Sequence, residues 1–135
     1  MTPDEEVLAA AASMVTAFGA HDSKAYFSSF DAEATFLFHN LDQLVASRAD
    51  YEKLWQAWEN DGFRVLACRS LEPRAQLVTP DSAVFTHRVR TTVAGQPHEL
   101  PERETIVFRR EPDGRWVGVH EHLSLETQES VAQQL

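Results

Sequence analysis

The sequence holds one cysteine, Cys68, two lysines, Lys24 and Lys53, and no basic run. A lone thiol excludes an internal disulfide and any metal site built mainly of cysteines. Without clustered Lys and Arg there is no surface suited to a phosphate backbone, so nucleic acid is not an expected partner. No apolar run approaches the roughly 18 residues of a membrane span, and Met1-Thr2-Pro3-Asp4-Glu5-Glu6 is the opposite of a basic leader. No membrane contact and a cytoplasmic location are therefore expected. The chain has no GxGxxG or GxxxxGK[ST] loop to cradle phosphates, no GxSxG elbow to present a serine, no CxxC and no HExxH helix.

What is present is material for a core. The 135 residues are 43% hydrophobic, with three Trp and eight Phe, which argues against disorder. Acidic residues outnumber basic ones 21 to 12, for a net charge of −9. The length suits one domain, expected over 1–125, with a polar tail over 126–135.

Thr2-Pro3-Asp4-Glu5 reads as a capping box with proline at the first helical position. Val7, Leu8, Ala11, Met14, Val15 and Phe18 follow at helical spacing, and Gly19 is expected to end the helix. Asp22 opens a short second helix carrying Ala25, Tyr26 and Phe30. Ala34-Thr35-Phe36-Leu37-Phe38-His39 reads as a strand. Ser47-Arg48-Ala49-Asp50 then caps a helix with Tyr51, Leu54, Trp55 and Trp58 on one face, stopped at Asn60-Asp61-Gly62. From Phe63 the pattern changes to four strands, near 63–79, 82–93, 102–110 and 115–125. They are separated by Thr79-Pro80-Asp81, Gly95-Gln96-Pro97 and Pro112-Asp113-Gly114. Helices first and an antiparallel meander after predict an α+β fold with the helices on one face of a curved sheet.

That order, with Glu102-Arg103-Glu104-Thr105-Ile106-Val107-Phe108-Arg109-Arg110, Asp113-Gly114-Arg115-Trp116 and Val119-His120-Glu121-His122-Leu123-Ser124, resembles the nuclear transport factor 2-like superfamily, in particular SnoaL-like domains. It is also similar to the association domain of calcium/calmodulin-dependent protein kinase II. Asp22-Ser23-Lys24-Ala25-Tyr26 and Asp81-Ser82-Ala83 match similar segments upstream. The resemblance implies a cone-shaped, cystatin-like α+β fold, with an antiparallel sheet wrapped around the N-terminal helices to enclose a pocket. It further implies a convex face that pairs two subunits and, for most enzymes of the fold, no cofactor. Because this fold hosts many activities, it constrains function weakly.

Strand alternation divides the residues into two faces. One holds Val84, Thr86, Arg88, Glu104, Ile106, Phe108, Val117, Val119, Glu121 and Leu123; the other holds Phe85, His87, Val89, Arg103, Thr105, Val107, Trp116, Gly118, His120, His122 and Ser124. An apolar lining with a few polar groups suits a small-molecule pocket, so the first set is placed inside. A bulge in either long strand would exchange the faces. The expected catalytic group is then Arg88, Glu104 and Glu121, in a ligand pocket formed by Tyr26, Phe38, His39, Trp55, Trp58, Ile106 and Leu123. A carboxyl among apolar walls has its charged form disfavoured and works as an acid or base near neutral pH, while an arginine binds or polarises an oxygen. A structural Arg–Glu pair between strands explains the same residue types.

His120-x-His122 with His87 has the makings of a metal site, but polar histidines on a subunit-pairing face are the preferred account, and no metal is expected. The resemblance implies pocket arginines at positions matching Arg88, Ile106 and Leu123, of which only Arg88 is retained. The acid–base aspartate and helix tyrosine of ketosteroid isomerases fall at Phe38 and near Met14, so that constellation is missing. Cys68 reads as core. The resulting expectation is a homodimer, pairing through the face of His87, His120 and His122, that binds a small apolar oxygenated molecule. It would act as a cofactor-independent acid–base enzyme of the isomerase, cyclase, dehydratase or hydrolase type. The alternative is a non-catalytic ligand-binding or assembly module.

Overall fold

The computed structural model describes residues 1–126. Beyond Glu126, the expected tail lies outside the described residues. Helix α1 (Pro3–Gly19) starts as its sequence demands. The Thr2 hydroxyl accepts from the Glu5 backbone N–H while the Glu5 carboxylate accepts from that of Thr2, satisfying two orphan donors of the first turn. Val7, Ala11, Met14 and Ala17 form its buried stripe.

Its end differs from expectation. The helix runs through Gly19, and the left-handed position that closes it belongs to His21, with φ 54°. His21 N–H donates to the Phe18 carbonyl and Asp22 N–H to that of Ala17, a Schellman closure in which glycine is the usual residue. Gly19 answers to packing instead, since a Cβ there would lie 3.1 Å from the backbone nitrogen of Cys68. The strain at His21 is offset by its ring. Nδ1 accepts the Val65 backbone N–H at 2.9 Å and Nε2 donates to Glu59 at 2.8 Å. The imidazole also stacks on Trp55, centroids 4.9 Å apart.

Helix α2 (Ser23–Ser28) is capped by Asp22, and β1 (Phe30–Phe38) begins directly after it. Phe30 therefore belongs to the strand rather than the helix, because its ring drops onto Gly118. A Cβ on Gly118 would come within 2.8 Å of that ring. Helix α3 (Arg48–Asn60) buries Tyr51 and Trp55, with Leu54 and Trp58 packed at the margin, on the expected stripe. Strands β2 (Val65–Thr79), β3 (Ser82–Val93), β4 (Leu100–Arg110) and β5 (Trp116–Leu125) follow.

The five strands form one curved, unclosed sheet in the order β1-β5-β4-β3-β2. β1 runs parallel to β5, and every other pairing is antiparallel. The chain's first strand thus closes against its last. Helix α1 packs on β2 and α3 on β1, which leaves the concave side roofed by helices. Irregularities in β2, where Glu72 takes φ 54°, and in β5 near Val119 bend the sheet. Among the described residues no helix is long and apolar enough to cross a membrane.

Register corrects the expected faces. In the β3–β4 hairpin Phe85 stands opposite Ile106 and His87 opposite Glu104, so residues of opposite parity share a face. The concave face of β3 is therefore Ala83, Phe85, His87, Val89 and Thr91, all buried, and Arg88 points the other way. On β5 the shift between His120 and Gly118 returns Gly118 to the inner face beside Phe108 and puts Val117 in the opposite phase. Glu104, Ile106, Phe108, Glu121 and Leu123 are inward as expected.

Candidate functional site

The strand register assembles the floor of the site. Glu121 lies between Phe36 of β1 and Ile106 of β4, and Glu104 lies between Leu123 of β5 and His87 of β3. Above them Phe18 from α1, Tyr26 from α2 and Tyr51, Trp55 and Trp58 from α3 enclose a cavity of about 380 Å³. Its walls also include Met14, Phe38, His39, Phe63, Cys68, Thr91, Glu102, Glu104, Glu121 and Leu123. That volume suits a small organic ligand, and an aromatic lining with few convergent polar groups is what such ligands need. Among the described residues neither Lys nor Arg lines it.

The polar groups are linked. The Tyr26 and Tyr51 hydroxyls are 2.9 Å apart, and Tyr26 donates to Glu121 Oε1 at 3.5 Å. Glu121, opposite Ile106, and Glu104, opposite Leu123, are diagonal neighbours on β5 and β4, and each acts on the other's ionisation. His87 Nε2 stands 2.6 Å from Glu104 Oε1, and its Nδ1 stands 2.6 Å from Ser70 Oγ. At the cavity mouth His39 Nε2 lies 2.6 Å from Glu102 Oε2.

Burial separates the carboxyls. Glu121 is 4% exposed, and desolvation, followed by the nearby Glu104 charge and the hydrogen bond between the two, raises its pKa well above the usual 4.5. Desolvation also acts on Glu104, but hydrogen bonds from Glu121 and His87 and the charge interaction with His87 outweigh it, so Glu104 is held below the usual value. Glu102 is raised by burial against the opposing bond from His39. Burial also pushes both tyrosines well up, so their hydroxyls stay protonated. The Cys68 thiol is pushed to about 12, which leaves no thiolate for nucleophilic attack.

Of the site residues named from the sequence, the structure places Glu104, Glu121, Tyr26, Phe38, His39, Trp55, Trp58 and Leu123 around this cavity. Arg88 is not among them. It lies on the convex face, donating to Glu126 at 2.9 and 3.1 Å and to Glu72 at 3.2 Å. The expected meeting of Arg88 with Glu104 and Glu121 is therefore corrected: His87 occupies the inward position, because the hairpin pairs opposite parities. Ile106, 1% exposed, is core beneath the cavity rather than part of its wall. His120 and His122 lie on the convex phase, whereas His87 does not, so the three histidines share neither a face nor a ligand site. Among the described residues no group of three or more His, Cys, Asp and Glu side chains is placed to hold a metal.

Four site residues escaped the sequence. Glu102 shares its phase with Glu104 and was visible in the same alternation. Tyr51 appeared only as part of a helix stripe. His87 needed the β3–β4 register, for which a turn centred on Gly95-Gln96 was the available signal, and Ser70 lies past the irregularity in β2, which shifts its pairing with β3.

The SnoaL-like domain pattern matches residues 7–128. No curated protein matches the chain. Among solved structures, a ketosteroid isomerase-like protein from Erwinia carotovora atroseptica SCRI1043 superposes with a TM-score of 0.78 at 14% identity, covering 93% of this chain and 98% of that one. ActVI-ORFA from Streptomyces coelicolor gives 0.71 at 16% identity over 90% and 96% of the two chains. An uncharacterised protein with a cystatin-like fold from Caulobacter vibrioides gives 0.78 at 13% identity over 96% and 93%. At these identities the structural likeness speaks for the fold, and the sequence pattern spans nearly the whole length. The chain belongs to the SnoaL-like domain family.

Proposed function

We propose that this SnoaL-like domain binds a small, largely apolar, oxygen-bearing molecule and moves a proton on it by acid–base chemistry. The observation that carries the reading is the pair Glu121 and Glu104 side by side at the floor of an aromatic-walled cavity, the first with its pKa raised by burial and the second held lower by its bond from His87. Two carboxyls whose surroundings push their pKa values apart are a matched acid and base. Glu121, with the Tyr26 hydroxyl, donates to an oxygen of the bound molecule. Glu104 takes a proton from the adjacent carbon, so one proton is delivered and one removed. Isomerisation leaves the composition unchanged; where a protonated hydroxyl departs, the same two steps release water. Arg88, bound to carboxylates on the other face, has no part in this step. The name of the ketosteroid isomerase-like neighbour is compatible with it, at an identity of 14% that speaks for the fold alone.

Native mass spectrometry of the freshly purified protein and tryptophan fluorescence test the reading. Trp55 and Trp58 report on 2-naphthol as a neutral probe and 2-naphthoate as its anionic counterpart. A retained small molecule is expected, with 2-naphthol bound about tenfold more tightly than 2-naphthoate, a difference of about 1.4 kcal/mol, because among the described residues buried carboxyls and no Lys or Arg line the cavity. Glu121→Gln should weaken 2-naphthol by a similar factor. Equal binding of both probes, untouched by the substitution, would contradict the proposal.

A further inference from the structure

Two chains of hydrogen bonds meet at Glu104 from opposite sides. From the helices, Tyr51 reaches Tyr26 and Tyr26 donates to Glu121, whose carboxyl neighbours that of Glu104 across the β4–β5 pairing. From the sheet, Ser70 on β2 bonds His87 Nδ1 on β3, and His87 Nε2 bonds Glu104 on β4. Since Glu104 is the acceptor, the hydrogen between it and His87 stands on Nε2, while Ser70 engages Nδ1 on the far side of the ring. Every group on either chain then has a hydrogen to pass on, except the carboxylate where both end. The His87 side chain is fully enclosed and that of Glu104 is 12% exposed, so bulk water does not compete for these bonds.

We propose that Ser70 and His87 are positioning residues for the site: they hold Glu104 as the fixed acceptor and thereby assign the single proton of the Glu104–Glu121 pair to Glu121. The other groups around the pair leave it this way. Glu102 of β4 is engaged by His39 at the end of β1, α2 and α3 supply the two tyrosines, β2 supplies the protonated Cys68 thiol, α1 supplies only apolar Met14, Val15 and Phe18, and among the described residues no Lys or Arg reaches the cavity. The lowered pKa of Glu104, with its bond from His87, agrees with the assignment. The inference rests on the reading of Glu121 as the donor and names the device that makes it one. A chain that merely tied β2, β3 and β4 together would lower stability when cut and leave the proton where it is.

Carboxyl carbon-13 NMR of full-length protein labelled at glutamate reads the proton's location, with amide spectra reporting the fold. In the parent at neutral pH, Glu121 is expected to show the shift of a neutral carboxyl and Glu104 that of a carboxylate. In His87→Phe both should move to intermediate values as the proton spreads over the pair, and His87→Gln, which keeps a donor, should restore the parent pattern. Ser70→Ala, a small change at a half-buried position, should move both in the direction of His87→Phe by a smaller amount. It decides the matter if His87→Phe does not fold. A folded His87→Phe, or failing that Ser70→Ala, with both carboxyls as in the parent would overturn the proposal. Failure of the parent protein to bind 2-naphthol, with the proton following His87 in the variants, would overturn the functional reading and leave this assignment standing.

Discussion

Glu121 holds its proton far more firmly in the folded chain than in the unfolded one, and that difference makes stability depend on pH. Its folded pKa is raised well above 4.5 by desolvation first and by Glu104 second. Between 4.5 and the folded value the native state carries the extra proton, so the contribution is full below 4.5 and is lost as pH rises through the folded pKa. The slope for one such group is about 1.4 kcal/mol per pH unit. Glu104, lowered in the folded chain, works in the opposite direction, its contribution being lost as pH falls. Urea unfolding of the parent should therefore show falling stability from pH 5 to 7.5, and Glu121→Gln should flatten most of that decline, leaving the weaker trend of Glu102. Parallel curves for parent and variant would remove Glu121 from the account.

At the scale of elements, His21 is the joint that fixes α1, α3 and β2 together. Its ring takes the Val65 N–H from β2, donates to Glu59 of α3 and stacks on Trp55, while its backbone closes α1. His21→Ala leaves the Val65 donor without its partner and is expected to lower unfolding free energy by about 1–3 kcal/mol. A loss under about 0.5 kcal/mol, that of an ordinary surface change, would contradict this joint. His21 also shows what a sequence conceals. The helix, its cap and its stripe were legible because capping and periodicity are local. Gly19 looked like the helix stop because glycine usually is one, whereas here it admits the backbone of Cys68. The same division holds in the sheet. Glu104 and Glu121 could be picked out as charges among apolar neighbours, but Arg88 and His87 differ by one position on the strand. Which of them faces inward is decided by pairing with β4, a contact across the hairpin.

Across the whole molecule, charge is divided by location. Net charge is −9, and much of the acidic surplus sits on exposed turns and helix starts. Three carboxyls are instead drawn under the helices, each with a specific partner: Glu102 with His39, Glu104 with His87, and Glu121 with Tyr26 and Glu104. Burying these groups costs stability that an all-apolar floor would not, which is the pattern of a site rather than of a core. No single element makes it: α2 and α3 bring the tyrosines, β1 closes beside β5, and the register of β3 on β4 supplies the histidine. The central claim is that this arrangement keeps Glu121 neutral at physiological pH, ready to donate. Infrared difference spectra of parent against Glu121→Gln at pH 7 test it most directly. A protonated-carboxyl band present in the parent and missing from the variant is expected; a difference confined to carboxylate bands would contradict it.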